Sequence, residues 1–270
     1  MTYEEKIQNS IKKIQEWEEE ANKWGGYTVG FSGGKDSQVL LDLFKKSGVK
    51  FRAAYNVTTN DPPESVYFIK KNYPEVEFIH PKTPFLQLIK DKHMLPTHIY
   101  RYCCAILKES THKGFVAVGV RREESSKRAH YSDFPEFKGS KGSQRKLYDP
   151  KKMTKNRQVL FMPIIDWLEW EVWQYIEDNN LPVNPCYDTQ NRVGCIFCPY
   201  ASKRELLLKK EQYPKHYKLL LNAIQVALDK GYLKQYQPLT PEEVFEWWIT
   251  KEDKRKYFYA KQNQTKLFDD

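Results

Sequence analysis

Long apolar runs are missing from this 270-residue sequence: no stretch of 18 apolar residues occurs, which excludes a membrane-spanning helix. The N-terminus also lacks the basic segment followed by an apolar one that marks a secretory signal. Cysteine is scarce, with five residues, and inside a cell so few thiols favour metal binding or catalysis over a disulfide framework. We therefore expect a cytoplasmic protein with no membrane partner.

Positive charge, in contrast, is plentiful and unevenly spread. The formal net charge is +9, and twelve Lys and Arg face five Asp and Glu between positions 121 and 157. This segment contains the polar stretch 139–143 and shows no apolar periodicity. It predicts a mobile basic loop suited to a polyanion, either nucleotide phosphates or a nucleic acid such as tRNA or DNA. A solvated surface loop without a partner is the alternative.

Apolar residues make up 40% of the sequence, enough for a large domain core. Their spacing predicts an amphipathic helix over Thr2–Trp24, capped by Thr2 and Glu5, and then strands that alternate with helices. Such alternation predicts an α/β fold: a parallel twisted sheet with helices on both faces. The predicted strands are 27–31, 51–57, 76–79, 115–120 and 159–164, and the helices between them include 35–46, 64–72, 84–90 and 102–112.

The pattern changes to helices and loops after about residue 165. One of the later helices begins at Thr240-Pro241, with Glu243 at the capping-box position. The sequence therefore predicts three parts: an N-terminal helix (1–25), an α/β nucleotide-binding domain (26–165) that contains the basic loop 121–157, and a helical C-terminal cap (166–270).

A glycine-rich turn, Ser32-Gly-Gly-Lys-Asp-Ser37, follows the first predicted strand. Its glycines let backbone N–H groups approach an anion, the helix that follows adds a partial positive charge, and Lys35 adds a full one. It is not a Walker A loop, because Val29 and Asp36 stand where that motif has Gly and Ser or Thr. The turn predicts a phosphate site in which Asp36 either holds a metal ion or caps the helix. A surface turn without a ligand is the alternative.

Four of the five cysteines form two pairs, Cys103-Cys104 and Cys195-x-x-Cys198. A Cys-x-x-Cys pair alone suits zinc, a redox disulfide or an iron–sulfur cluster. Adjacent cysteines are awkward ligands for one tetrahedral zinc, whereas the separate irons of a cubane accept them, and four thiolates are the usual complement of a [4Fe–4S] cluster. Buried free thiols are the competing interpretation, and for Cys186 we expect a core thiol.

These motifs together resemble the phosphoadenosine phosphosulfate (PAPS) reductase family of PP-loop ATP pyrophosphatases, and most closely its iron–sulfur branch, typified by adenylylsulfate (APS) reductase. Ser32–Ser37 is similar to the PP-loop. Gly119-Val-Arg-Arg-Glu-Glu-Ser-Ser-Lys-Arg128 is similar to the segment that contacts phosphate or sulfate, and 163–176 and 184–195 also agree. The resemblance covers roughly residues 25–200 and implies an adenine nucleotide alpha hydrolase-like fold.

The resemblance also implies the ligands and the site residues. It implies an adenine nucleotide, ATP or APS/PAPS, with Mg²⁺, and a [4Fe–4S] cluster. Lys108, four residues after Cys104, stands where the family places a lysine between cluster and substrate; an exposed helix lysine is the alternative. The candidate nucleotide-binding residues are Ser32, Gly33, Gly34, Lys35, Asp36, Ser37, Arg121 and Arg128, the catalytic ones Lys35, Asp36 and Lys108, and the cluster ligands Cys103, Cys104, Cys195 and Cys198.

One departure from the family shapes the expected function. No cysteine follows Cys198, whereas sulfonucleotide reductases use a nucleophilic cysteine near the C-terminus that other residue types do not easily replace. We therefore expect adenylation of a substrate by ATP for sulfur transfer, with nucleic acid as the favoured acceptor and a sulfur donor or thioredoxin-like protein as a further partner. The alternatives are a sulfonucleotide reductase that uses an external thiol or Cys186, and a non-catalytic nucleotide- and nucleic-acid-binding subunit.

Overall fold

The computed structural model describes residues 1–109, 111–139 and 145–266, with the backbone alone for 261–266. Most of the predicted polar stretch 139–143 lies outside the described residues. Within the described part, no helix has both the length and the apolar character that crossing a membrane requires.

One seven-stranded sheet forms the framework, with the strand order β3-β2-β1-β4-β7-β5-β6. The strands from β3 to β7 in this order are parallel, which confirms the predicted α/β fold. The sheet is mixed, however, because β5 and β6 extend it as an antiparallel hairpin. The strands are β1 Tyr27–Phe31, β2 Phe51–Asn56, β3 Glu77–Ile79, β4 Gly114–Ala117, β5 Glu136–Phe137, β6 Lys146–Leu147 and β7 Gln158–Phe161.

The helices follow the predicted pattern with two differences. The N-terminal helix breaks at Trp17, although its predicted capping box is present, with Thr2 Oγ1 accepting the Glu5 N–H at 3.2 Å. The predicted helix 102–112 is a short α-turn followed by a π-helical turn, Ala105–Glu109. The helices are α1 Tyr3–Glu16, α2 Glu18–Asn22, α3 Lys35–Ser47, α4 Pro63–Asn72, α5 Phe85–Lys92, α6 Tyr102–Cys104, α7 Glu169–Asp178, α8 Lys203–Gln212, α9 Pro214–Asp229, α10 Pro241–Thr250 and α11 Lys254–Lys266.

The chain packs as two compact units. The first comprises 1–57, 62–80 and 109–193 and contains the sheet; its core is built on residues such as Val29, Leu40 and Phe115. The second comprises 58–61, 81–108 and 194–270, is helical, and has its own core around Ile224 and Phe245. This division differs from the predicted one near residue 165, because α7 packs on α3 within the first unit and α5 packs on α9 within the second.

Candidate functional site

The predicted phosphate loop leaves the carboxyl end of β1 and enters α3. Gly33 has a φ of +72°, and a Cβ there would lie 2.9 Å from Ile69 Cγ1, so only glycine fits this position. Gly34 is the N-cap of α3, and no side chain caps the helix there. The capping role considered for Asp36 is therefore not observed; the Lys35 N–H at the start of α3 is bound by a side chain from elsewhere in the chain, the Tyr187 phenol.

Two sets of hydrogen bonds fix the shape of this loop. Within it, Ser37 Oγ donates to the Gly34 carbonyl at 2.8 Å and accepts the Ser32 N–H at 3.2 Å. From a distant part of the chain, the fully buried Asn184 donates from Nδ2 to the Gly33 carbonyl and to Ser65 Oγ, both at 3.0 Å. The bond from Asn184 satisfies the Gly33 carbonyl of the turn, and the bond from Ser37 adds to the backbone N–H groups of α3 that the Gly34 carbonyl already accepts.

Lys35 lies at the start of α3 and is only 6% exposed. Its Nζ is 3.3 Å from Glu169 Oε1 and 3.8 Å from Asp36 Oδ2. The ammonium also lies over two aromatic rings, 5.7 Å from the centroid of Trp173 and 5.6 Å from that of Tyr187. Carboxylates and ring faces together offset the cost of burying an ammonium, so the loop holds a cation ready for an anionic ligand.

The phenol of Tyr187 covers the N-terminus of α3. Its oxygen accepts the Lys35 backbone N–H at 2.9 Å. Burial raises the pKa of Tyr187 to about 12, with the Lys35 N–H acting in the opposite direction, so the group is a neutral phenol at physiological pH. An anion at a helix N-terminus binds such N–H groups, and the phenol oxygen thus holds a position that suits a phosphate oxygen.

Carboxylates, including that of Asp36, bind both of the predicted arginines. Arg121, 3% exposed, donates from Nε to Asp36 Oδ1 at 2.6 Å and pairs with Glu123 at 2.7 Å. Arg128 pairs with Glu124, whose other carboxylate oxygen accepts the Arg121 backbone N–H at 2.8 Å. The structure therefore places Arg121 beside the loop, while both guanidinium groups bind carboxylates; their contacts with phosphate or sulfate stay predictions.

The four predicted cluster ligands lie together in the second unit. One cavity is lined by all four: Cys103 and Cys104 of α6, and Cys195 and Cys198 of the turn after residue 193. Lys108 lines the same cavity. The rest of the lining is Thr58, Asn60 and four apolar residues (Phe85, Leu107, Phe197 and Pro199), with no Asp, Glu or His. All four cysteines are free thiols. Cys186, by contrast, belongs to the first unit and is 1% exposed, as expected for a core thiol.

The Cys195–Cys198 turn is held by two side chains that the sequence did not single out. Asn60 donates from Nδ2 to the Phe197 carbonyl at 3.1 Å and accepts the Phe197 N–H at 3.2 Å. Lys209, 5% exposed, donates to the Cys195 carbonyl at 2.9 Å. These bonds fix the turn independently of its sulfur atoms.

The electrostatics of the cavity couple Lys108 to the thiols. Lys108 is exposed, as the alternative interpretation expected, yet it lines the cavity: negative charge at Cys195 raises the pKa of Lys108, and Asp61 and the other thiols add to the rise. Burial raises the pKa of Cys195, and the Lys108 ammonium counteracts it. A hydrogen bond with Cys104, together with burial, raises the pKa of Cys103. Lys108 thus supplies positive charge where thiolates or an anionic group would need it.

The four cavity thiols are donors that both zinc and an iron–sulfur cluster accept. Among residues 1–109, 111–139 and 145–266, no three His, Cys, Asp or Glu side chains are grouped to hold one metal ion. Zinc gathers its sulfur ligands about 2.3 Å from a single point, whereas a cubane cluster takes each thiolate on a different iron. Four thiols around one cavity lined by no Asp, Glu or His are a donor set that suits a thiolate-bound group.

The basic segment 121–157 is not one irregular loop, because it contains β5 and β6, which continue the sheet. Much of the positive charge of this segment is also paired. At least six of its basic side chains form ion pairs with carboxylates: Arg121, Arg122, Arg128, Lys138, Arg145 and Lys152.

The second unit carries a separate excess of positive charge, which the sequence analysis did not predict. It contains nineteen Lys and Arg and twelve Asp and Glu.

The sequence of this chain matches one known protein family. The phosphoadenosine phosphosulfate reductase domain matches residues 26–201, well over half of the sequence and the whole of the loop and cysteine regions. This chain belongs to the PAPS reductase family. Membership confirms the resemblance drawn from the PP-loop and the cysteine pairs.

Three relatives of this chain are 28–29% identical to it over the regions that align. An uncharacterized protein of Methanocaldococcus jannaschii is 29% identical over 216 residues, 78% of this chain and 50% of that protein. The chain thus spans half the length of that relative. Adenosine 5′-phosphosulfate reductases of Oceanobacillus iheyensis and Staphylococcus epidermidis are 29% and 28% identical, covering 70% and 64% of this chain and 78% and 69% of those proteins.

Two solved structures are similar at low identity. PAPS reductase from Candida auris, in a phosphate complex, is 15% identical with a TM-score of 0.42, covering 68% of this chain and 93% of that one. FMN adenylyltransferase from Candida glabrata is 15% identical with a TM-score of 0.45, covering 69% and 62%. Family membership rests on the sequence match and not on these likenesses.

Sequence reasoning missed the residues that surround Lys35. Glu169, Trp173 and Tyr187 lie far from the loop along the chain, and no local pattern connects them to it. A weak signal existed for Asn184, since Asn before Pro often caps a turn, and here its Oδ1 accepts the Cys186 N–H at 3.0 Å.

Replacing Tyr187 with phenylalanine tests the role of its phenol. We expect inorganic pyrophosphate to bind about two- to tenfold more tightly, because the free protein loses one hydrogen bond that the ligand replaces. Calorimetric titration measures the change. Tyr27→Phe is the matched control, since Tyr27 donates to the Ile14 carbonyl at 2.9 Å, at the opposite end of β1. Weaker binding by Tyr187→Phe would show instead that the phenol contacts the anion.

Proposed function

We propose that this chain uses ATP to adenylate a substrate for sulfur transfer. The observation that supports this most directly is the Ser32–Ser37 loop at the carboxyl end of β1, with the buried Lys35 at the N-terminus of α3. This arrangement combines backbone donors with a full positive charge at one anion position. Pyrophosphate is the anion that a PP-loop adenylation releases.

In the proposed reaction, an oxygen of the acceptor attacks the α-phosphorus of ATP and forms a new P–O bond. The bond from that phosphorus to the bridging oxygen breaks, pyrophosphate leaves toward the loop, and the acceptor's proton passes to solvent. Lys35 and the α3 N–H groups offset the charge that develops on the leaving group. A sulfur nucleophile then displaces AMP from the activated position.

Mg²⁺ would be bound mainly by the nucleotide. Proteins usually bind Mg²⁺ through one or two carboxylates together with substrate phosphates. Asp36 is the carboxylate at the loop, and it already accepts a hydrogen bond from Arg121 at 2.6 Å. We propose that Asp36 and Arg121 act as a pair, in which Arg121 orients the carboxylate.

The thiol cavity would hold a [4Fe–4S] cluster through Cys103, Cys104, Cys195 and Cys198. Four protein ligands leave no iron open, so such a group supplies structural, electrostatic or one-electron chemistry. Lys108 would offset its negative charge from the cavity wall. Asn60 and Lys209 hold one ligand pair in place.

Nucleic acid is the acceptor that we favour. Both the segment 121–157 and the helical unit carry an excess of Lys and Arg, which suits a polyanion. A sulfonucleotide reductase is the second candidate, because several relatives are adenosine 5′-phosphosulfate reductases. Cys186, at 1% exposed, is poorly placed to supply the thiol for that reaction.

Pyrophosphate release from ATP tests the proposal. Anaerobically purified protein is assayed with and without total cellular RNA or DNA, and with APS or PAPS plus thioredoxin in parallel. Release stimulated by one nucleic acid supports adenylation and identifies the acceptor class. Sulfite from APS or PAPS, with no pyrophosphate from ATP, would establish the reductase instead.

A further inference from the structure

The residues that flank the two cysteine pairs include an exposed aromatic ring next to the thiol cavity. Tyr200 follows Cys198 by two positions, and Arg101 precedes Cys103 by two. The Arg101 guanidinium carbon lies 4.4 Å from the centroid of the Tyr200 ring, so the two side chains stack. Tyr200 nevertheless remains 50% exposed, which leaves ring surface open to solvent.

Neighbouring residues enlarge this surface. Tyr100 is 40% exposed and Ile99 is 76% exposed, immediately before Arg101 in the chain. Lys251 Nζ donates to the Tyr200 carbonyl at 3.2 Å, which brings a second cation to the same residue. We call the set Ile99, Tyr100, Arg101, Tyr200 and Lys251 the rim. Exposed aromatic and aliphatic side chains gathered with cations are typical of a binding surface.

The chemistry of the rim indicates its ligand. Aromatic rings offer stacking to any base, and a guanidinium stacked on such a ring adds a charge that attracts phosphate. The whole helical unit has an excess of Lys and Arg over Asp and Glu, which favours a polyanion. A duplex hides its base faces within the stack, whereas an unpaired nucleotide exposes them.

We propose that an unpaired nucleotide of a single-stranded nucleic acid binds at the rim. The base stacks on the face of Tyr200 opposite the Arg101 guanidinium, and the adjacent phosphates lie near Arg101 and Lys251. This inference rests on the proposed function in one respect: it names where the nucleic-acid acceptor is bound. It differs from the sequence-based expectation, which placed the nucleic acid at 121–157, where many basic side chains are paired.

Fluorescence anisotropy with short fluorescein-labelled oligothymidylate and oligouridylate tests the proposal on the full chain. We expect Tyr200→Ala to weaken binding roughly 5- to 100-fold, the range for loss of one base–aromatic stack. The slope of log affinity against log salt should stay unchanged, because no cation is lost. Arg101→Ala should weaken binding and also reduce that slope by about one.

Tyr200→Phe is the matched control and should bind as the wild type does, since it keeps the ring. Far-UV circular dichroism and thermal unfolding confirm that each variant is folded. Equal affinity of Tyr200→Ala and wild type overturns the proposal, as does the absence of oligonucleotide binding by the wild type.

Failure of this inference can be told apart from failure of the proposed function. Pyrophosphate release stimulated by nucleic acid, together with unchanged binding by Tyr200→Ala, would retain the function and reject the rim. Binding that depends on Tyr200, with no pyrophosphate release under any condition, would retain the rim and reject adenylation.

Discussion

Lys35→Met is expected to lower ATP-dependent pyrophosphate release by roughly 10²- to 10³-fold, the loss typical of removing one preorganised charge from a transition state. The substitution keeps most of the aliphatic chain between Trp173 and Tyr187, so the packing around the loop is preserved. Glu169, the carboxylate 3.3 Å from Nζ, has a 57% exposed side chain and stays hydrated without its partner. Initial rates of pyrophosphate release at saturating ATP measure the effect.

Lys45→Ala supplies the control for this experiment. Lys45 belongs to the same helix, α3, but its side chain is 46% exposed and pairs with Glu75. Its replacement should leave the rate within about twofold of wild type, since exposed ion pairs contribute little. Binding of a fluorescent ATP analogue separates affinity from turnover. A fully active Lys35→Met variant would remove the loop from the chemistry and favour a non-catalytic nucleotide site.

Loss of bound iron and acid-labile sulfide is the result we expect for Cys195→Ser and for Cys198→Ser. A serine hydroxyl is a poor substitute for a thiolate on iron, and a cluster bound through three remaining ligands is easily lost on purification. Iron content, sulfide content and visible absorbance of anaerobically prepared protein measure the change. We expect most of the iron to be absent from both variants.

Cys186→Ser is the matched control, because Cys186 is a buried thiol of the first unit and lines no part of the cavity. It should retain iron and colour as the wild type does. Wild-type protein without iron or sulfide, together with free alkylation of all four cavity cysteines, would contradict the cluster. Iron that persists in both Cys195→Ser and Cys198→Ser would place its ligands elsewhere.

Features encoded locally were predictable from the sequence. The strand β1, the glycine-rich turn and the helix α3 follow one another within fewer than thirty positions. The hydrophobic pattern and the turn residues therefore predict the same local structure. The capping boxes at Thr2 and Thr240 were equally readable, because both partners lie three residues apart. The two cysteine pairs were recognised by spacing, and the structure places all four around one cavity.

Features that depend on distant contacts were not predictable. Tyr187 reaches the Lys35 N–H across 152 positions, and an aromatic residue after a proline gives no hint of such a partner. The β5–β6 hairpin has two residues in each strand and lies in a polar segment, which is too short for an alternating pattern to be detected. The division into two units likewise depends on which helices pack together, since 81–108 and 194–270 are remote in sequence.

The bond from Asn184 to the Gly33 carbonyl has a consequence for how the protein is made. It joins residues that are 151 positions apart. The phosphate loop can therefore form this hydrogen bond only after residue 184 has been synthesised. Contacts this remote in sequence form late, after the cost of closing a long loop has been overcome. A nascent chain that ends before residue 184 can pair β1 with β2 and β4, yet its phosphate loop lacks this hydrogen bond, so we expect nucleotide affinity to rise only once residue 184 has been added.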